Sequence, residues 1–400
     1  MFESVVLRRP VFGDKRLDPG LLAEVLLFYQ NVYLILDHGS LISIVNAIGA
    51  EALLKLIEDG HVKASFVREN MGTTTAAPLG IPFHRFVAYQ LRGKKKKKRI
   101  FSKQELIRTA LERTQGNPSQ TRRIATNLER RIPIEKLEHA AGKPLDILGM
   151  AHEDLQDSQY TNAAIRLVLQ ELVPGFRIPA EWYFRAIETK HGFVVDTNFD
   201  LGAVNTEYHR SVPPEHSSIT PAYLLTHILD ARADIAFAGK HMAELVTSPM
   251  ASQALWIKFS TMLEKRIQNA QEIELFQHTH LEAGTIRESI NSGERTFAEF
   301  LDILEEAQKF KEWLKDVHPE IGLLKEYYKA ATAKTWADKL PAKTLRFAFF
   351  TGLGAIAEAV LPMGGVGTAA ADTFILGKFL KGWRPSQFVE EKLSAFTGPE

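Results

Sequence analysis

The run from Lys343 to Trp383 constrains the fold most. It is the most apolar stretch of the chain, with two arms meeting at Pro362-Met363-Gly364-Gly365-Val366-Gly367. Small residues on both arms (Gly352, Gly354, Ala355, Ala357 and Ala359, then Ala369, Ala370 and Ala371) allow close approach. The pattern therefore predicts a Gly/Ala-rich helical hairpin over residues 345–380. A membrane-spanning helix needs about 20 mostly apolar residues. Both arms are shorter and carry charge, Arg346 and Glu358 in the first, Asp372 and Lys378 in the second. One acid at mid-membrane costs about 2.5–3.5 kcal/mol. Buried core is the expected resting place of the hairpin, with membrane insertion only conditional on pairing of those charges. The glycines do not make a phosphate loop. Gly352 and Gly354 follow no strand, and Gly367 is not followed by Lys-Ser or Lys-Thr.

Four hundred residues are more than one hydrophobic core usually takes. A 45% hydrophobic and 24% charged composition is that of a globular chain and not a disordered one. The absence of cysteine excludes disulfides, thiolate metal sites and a cysteine nucleophile. The N-terminus, MFESVVLRRPVFGDKR, lacks the basic start and apolar run of a signal peptide. A cytoplasmic location is the resulting expectation.

In chain order, Leu21 to Phe28 reads as a helix and Val32 to Leu36 as a strand buried on both faces. Asp37-His38-Gly39-Ser40 closes that strand, with Ser40 expected to cap the next helix. A helix from Glu51 to Glu58 and a strand from His61 to Val67 complete a β-α-α-β unit. Met71 to Pro82 reads as a Gly/Thr/Pro-rich loop before a strand at His84 to Leu91. Ser102 and Glu105 have capping-box spacing. Asn117-Pro118 divides two basic helices. Further on, Tyr160 to Leu172 is helical, and Trp182 to Asp196 is a β-hairpin around Lys190-His191-Gly192. Beyond Thr220-Pro221 only helices are expected: Ala251–Glu274, Ile286–Ser292, Phe297–Asp316, Leu323–Trp336 and a short one after Pro385. The fold class is α+β, predominantly helical, with an N-terminal α/β part and an all-helical C-terminal part ending in the hairpin. The expected division is a small α/β domain (1–92), basic helices plus a β-hairpin (93–212), and a helical domain (213–400).

The net charge of +1 hides an uneven distribution. Arg92 to Arg131 holds fourteen Lys or Arg against three acids, an excess of +11, which leaves −10 for the rest of the chain. A polyanion surface is the reading of that asymmetry, built from Lys94, Lys95, Lys96, Lys97, Lys98, Arg99, Arg108, Arg122, Arg123, Arg130 and Arg131. Nucleic acid is the expected polyanion, although the sequence places only Phe101 nearby for base stacking. A solvated linker and an ordinary basic surface explain the same residues.

Other candidates are looser. Asp37 and His38 follow a strand, where α/β folds place chemistry, so they are candidate catalytic residues, and Asp37 with Asp59 a candidate metal pair. An Asp there more commonly caps a helix. His278-Thr279-His280-Leu281-Glu282 alternates ligand-type side chains if extended, without a further zinc ligand. Glu188, His191, Asp196 and Asp200 could cluster around the hairpin, but Lys190 lies at its turn. No motif identifies a cofactor. The functional expectation is a binding or regulatory protein that engages nucleic acid through its basic helices. A protein partner or second copy would sit on its helical part. The alternatives are a conditional membrane-acting effector using the hairpin and a metal-dependent hydrolase or nuclease.

Overall fold

The computed structural model describes residues 2–8, 18–77, 80–92, 100–113, 118–139, 143, 145–190, 192–212, 216–281, 284–319, 321–332 and 385–398. The Gly/Ala-rich run 345–380 and the lysine run 94–98 lie outside them. The chain forms two compact units, each assembled from distant segments. One comprises Ser4–Leu17 and Asn31–Ile267, the other Met1–Glu3, Asp18–Gln30 and Gln268–Glu400. The class is a mostly helical α+β protein.

Among the described residues nine strands occur, and the first unit holds them: β1 (Ser4–Arg8), β2 (Asn31–Leu36), β3 (Val62–Val67), β4 (Glu69–Ala76), β5 (Phe83–Gln90), β6 (Ile134–Glu135), β7 (Phe184–Thr189), β8 (Gly192–Thr197) and β9 (Glu244–Val246). A parallel sheet runs in the order β6-β3-β2-β1-β9. Its central strands are apolar on both faces, as the uninterrupted Val32–Leu36 run requires. Two helices, α2 (His38–Ile48) and α3 (Ala50–Glu58), link β2 to β3, which is the β-α-α-β unit read from sequence. An antiparallel sheet runs β4-β5-β8-β7.

The first half of the expected loop, Met71 to Ala76, is instead part of β4, which pairs along its whole length with β5 from Glu69↔Gln90 to Ala76↔Phe83. Three consecutive threonines suit a half-exposed pleated surface, and that preference outweighs the turn signal of the neighbouring Gly and Pro. A further difference is β9, a short strand inside the stretch read as purely helical.

Helices α4 (Lys103–Glu112) and α5 (Pro118–Arg131) pack on α2 and α3. The remaining helices of this unit are α6 (Ile147–Gln156), α7 (Ser158–Leu172), α8 (Leu201–Ser211) and α9 (Pro221–His241), with the start of α10 (Pro249–His280). Thr220 caps α9 by accepting from Tyr223 N at 3.2 Å, with Pro221 at the first helical position. Leu229, Ala233, Ala236 and Phe237 of α9 join Val6, Ile35, Val67 and Met71 in one core, so α9 serves both sheets.

In the second unit, α1 (Pro19–Phe28) is buried on nearly every side. Phe28 meets Phe276 and Phe310 edge-on, both at 6.1 Å between ring centres. The stretch Phe297–Asp316 is two helices, α12 (Phe297–Glu306) and α13 (Gln308–Lys315), separated at Ala307. The others are α11 (Ile286–Asn291) and α14 (Leu323–Thr332). Helix α10 is kinked at Phe259 and runs on through His280. His278 and His280 are therefore helical and not alternating on an extended segment. The last helical run, residues 385–397, buries Phe388, Val389, Leu393 and Phe396. Arg295 closes its end, donating to the Phe396 carbonyl at 2.8 Å and to those of Ala395 and Gly398 at 3.3 Å.

Candidate functional site

The α4–α5 pair is built from local signals. Ser102 Oγ accepts from Glu105 N at 3.2 Å, and Glu105 Oε2 accepts from Ser102 N at 2.8 Å, completing the capping box. Helix α5 is amphipathic. Thr121, Ile124, Ala125 and Leu128 are buried, whereas Arg122, Arg123, Thr126 and Arg130 are exposed. Lys103 at the start of α4 donates to the Ile132 carbonyl at 2.7 Å and to the Glu129 carbonyl. That contact sets the end of α5 beside the beginning of α4, so the two helices run as a hairpin.

The five arginines of the expected polyanion surface that lie on these two helices fall into two groups. Arg108 pairs with Glu112 at 3.4 Å, Arg123 reaches Glu51 at 4.0 Å, and Arg131 pairs with Glu58 at 2.9 Å. Arg122 and Arg130 make no ion pair among the described residues. They stand eight residues apart on one stripe, about 12 Å along the axis at 1.5 Å per residue, with Thr126 between them. Lys94, Lys95, Lys96, Lys97, Lys98 and Arg99 lie outside the described residues, but the chain that carries them starts and ends at one place. Arg92 and Ile100 form an antiparallel bridge, and Phe101 N donates to the Leu91 carbonyl at 3.0 Å.

Asp37 is the N-cap of α2. Its Oδ1 accepts from Ser40 N at 2.7 Å, while Ser40 Oγ accepts from Asp37 N at 2.7 Å. The sequence reading placed the cap at Ser40. The residue is one turn too late for that, and it serves as the reciprocal partner instead. His38 Nε2 lies 3.2 Å from Thr109 Oγ1 on α4. Partial burial lowers the His38 pKa, with Arg113 adding to the effect and Asp37 opposing it, which keeps the ring neutral near pH 7. The geometry supports a structural cap and a helix-to-helix hydrogen bond here.

The hairpin acids go to separate partners. Glu188 accepts from Gln156 at 3.1 Å and meets His152 at 2.9 Å; Asp196 accepts from Tyr183 Oη at 3.1 Å; Asp200 caps α8 through Ala203 N at 2.9 Å. His191 is outside the described residues. No group of three or more metal-ligating side chains occurs among the described residues.

The carboxyl end of a parallel sheet, where the strand order reverses, is the usual ligand crevice of an α/β fold. Here that point falls between β1 and β9, and a buried ion cluster missed by sequence reasoning occupies it. Arg8, 5% exposed, donates to Asp234 Oδ1 at 2.6 Å and to Asp230 Oδ1 at 2.9 Å, and Thr247 donates to the other Asp234 oxygen. Burial opposes the Arg8 charge, but Asp234 and Asp230 outweigh it and hold the guanidinium charged. The cluster satisfies its own members and ties β1 to α9. Only the i, i+4 spacing of Asp230 and Asp234 on a largely buried helix hinted at it.

The fold defines a class, a mostly helical α+β protein with one parallel and one antiparallel sheet. Compared with family models, curated proteins and solved structures, the chain matches none. Among the described residues no single helix is long and apolar enough to cross a membrane. The pair α2 and α3 meets the test only when taken together, across a 101° bend.

Proposed function

We propose that this is a binding protein that engages nucleic acid through its phosphates, along the outer stripe of α5 and the neighbouring basic residues. The observation that supports this reading is the division of the arginines. Arg108, Arg123 and Arg131 each have an acid at hand, whereas exposed Arg122 and Arg130 have none among the described residues. An exposed cation without a counter-charge keeps its full attraction for a polyanion and releases condensed counterions on contact. The lysines from Lys94 to Lys98 add to the same field. The −10 carried by the rest of the chain gives a basic protein partner, or the basic helices of a second copy, a complementary surface.

Fluorescence anisotropy with a duplex oligonucleotide tests the reading. Arg122→Ala with Arg130→Ala should weaken binding more than Arg108→Ala with Arg131→Ala. Affinity should fall with salt at a log–log slope of about −0.9 per phosphate contacted on B-DNA. Absence of binding at low salt, or binding that ignores salt, overturns the proposal.

A further inference from the structure

Proteins keep the outer strands of a sheet from pairing with other chains by making them short, by charging them or by capping their donors. Three of the four outer strands here are defended in one of these ways. At the ends of the parallel sheet, β6 and β9 are two and three residues long. At one end of the antiparallel sheet, β7 carries exposed Arg185 and Glu188. Its first N–H, that of Phe184, donates to Asn162 Oδ1 at 2.9 Å.

Strand β4, at the other end, has none of these defences. It is eight residues long and pairs with β5 residue for residue, without a bulge. Asn70 to Ala77 contains no charge and no proline, and Thr74, Thr75, Ala76 and Ala77 are exposed. Among the described residues the backbone from Asn70 to Ala76 bonds only to β5. In such an edge strand every second residue turns its N–H and C=O away from the sheet. The strand is also held in place from within. Thr73 Oγ1 is hydrogen-bonded to Thr226 Oγ1 on α9 at 2.9 Å, and Thr75 Oγ1 to His84 Nδ1 at 2.9 Å. Ordering the edge for a partner therefore costs little further entropy.

We infer that β4 pairs antiparallel with β4 of a second copy about Thr74, joining two four-stranded sheets into one. The occupant follows from charge. A two-fold axis at Thr74 sets that residue against itself, Thr73 against Thr75 and Gly72 against Ala76. No like charges meet, and threonines facing each other across strands are a favourable pair. The nearest charge, Arg85, stands opposite Thr74 on β5. At about 4.8 Å per strand it lies about 14 Å from its counterpart, beyond the screening length at physiological salt.

Analytical ultracentrifugation of the full chain over a concentration series at physiological salt tests it. The samples are the unaltered chain, Thr74→Glu, Thr74→Lys and an equimolar mixture of the two variants. The unaltered chain should pass from monomer to dimer as concentration rises. Thr74→Glu faces Arg85 within its own chain, so the hairpin keeps its fold, which an unchanged melting curve verifies. Across the dimer the new carboxylate faces its own copy, and the dissociation constant should rise at least about ten-fold. Thr74→Lys should do the same. The mixture should recover the dimer, because unlike charges then meet. An unaltered chain that stays monomeric throughout overturns the inference. So does full dimerisation of Thr74→Glu, or a mixture that associates no better than its separate variants. The basic helices take no part in this pairing, so its failure leaves the phosphate-binding reading standing.

Discussion

Asp37 holds the first turn of α2 through both its carboxylate and its backbone N–H, each bonded to Ser40. Asn caps about as well as Asp, so Asp37→Asn should leave stability nearly unchanged. Asp37→Ala should cost roughly 0.5–2 kcal/mol by urea denaturation. A large loss of any measured activity in Asp37→Asn, without a change in stability, would restore the catalytic reading. A second residue responds to pH. His227 on α9 is 1% exposed, and burial pushes its pKa down to about 4, against a small opposing effect of Asp230. Its folded pKa lies below the unfolded value of about 6.5. The stabilisation it contributes is therefore complete above pH 6.5 and lost as pH falls towards 4. The full difference is worth at most about 3 kcal/mol. His227→Leu should lose less stability between pH 7 and pH 4.5 than the unaltered chain. Parallel losses in the two proteins would refute the assignment.

At the scale of elements, Gly192 opens β8 and sits where β5 approaches. Its φ is +124°, and a Cβ there would lie 2.3 Å from the His84 carbonyl oxygen. Gly60, with φ +78°, has nothing within 4 Å of the same position. Gly60→Ala should cost only the backbone strain, about 1–2 kcal/mol. Gly192→Ala adds a clash to that strain and should cost about 1–3 kcal/mol more. Thermal melts of the two variants check the ordering, and equal losses would show that β5 and β8 part easily.

Elements with a single local cause were legible in the sequence. Ser102 and Glu105 announce α4, Thr220 and Pro221 announce α9, and the apolar run Val32–Leu36 announces a central strand. The rest depended on distant partners. Strand β4 is legible only once Phe83–Gln90 lies beside it. The α12–α13 break at Ala307 carries neither Gly nor Pro.

At the scale of the whole molecule, the last fourteen described residues are part of a core rather than a tail. Phe388 lies 5.2 Å from Phe310 between ring centres, and Arg295 holds the closing carbonyls. Deleting residues 385–400 should uncover Phe310 and Leu314 on α13, raise binding of a hydrophobic dye and lower the soluble yield. A truncated protein that stays monomeric with an unchanged melting temperature would contradict this.

The pairing of β1 with β9 also sets a clock. Val5 meets Glu244 in the sheet, and Arg8 finds Asp234 across 226 residues. At about 5–20 residues per second of synthesis, the ribosome needs roughly ten to fifty seconds to supply that partner. Until then the newborn chain presents one unfilled strand edge and one cation without its carboxylates, and an open edge recruits whatever strand it meets. Synthesis is therefore a waiting problem for β1, which is made long before the partners that secure its outer edge.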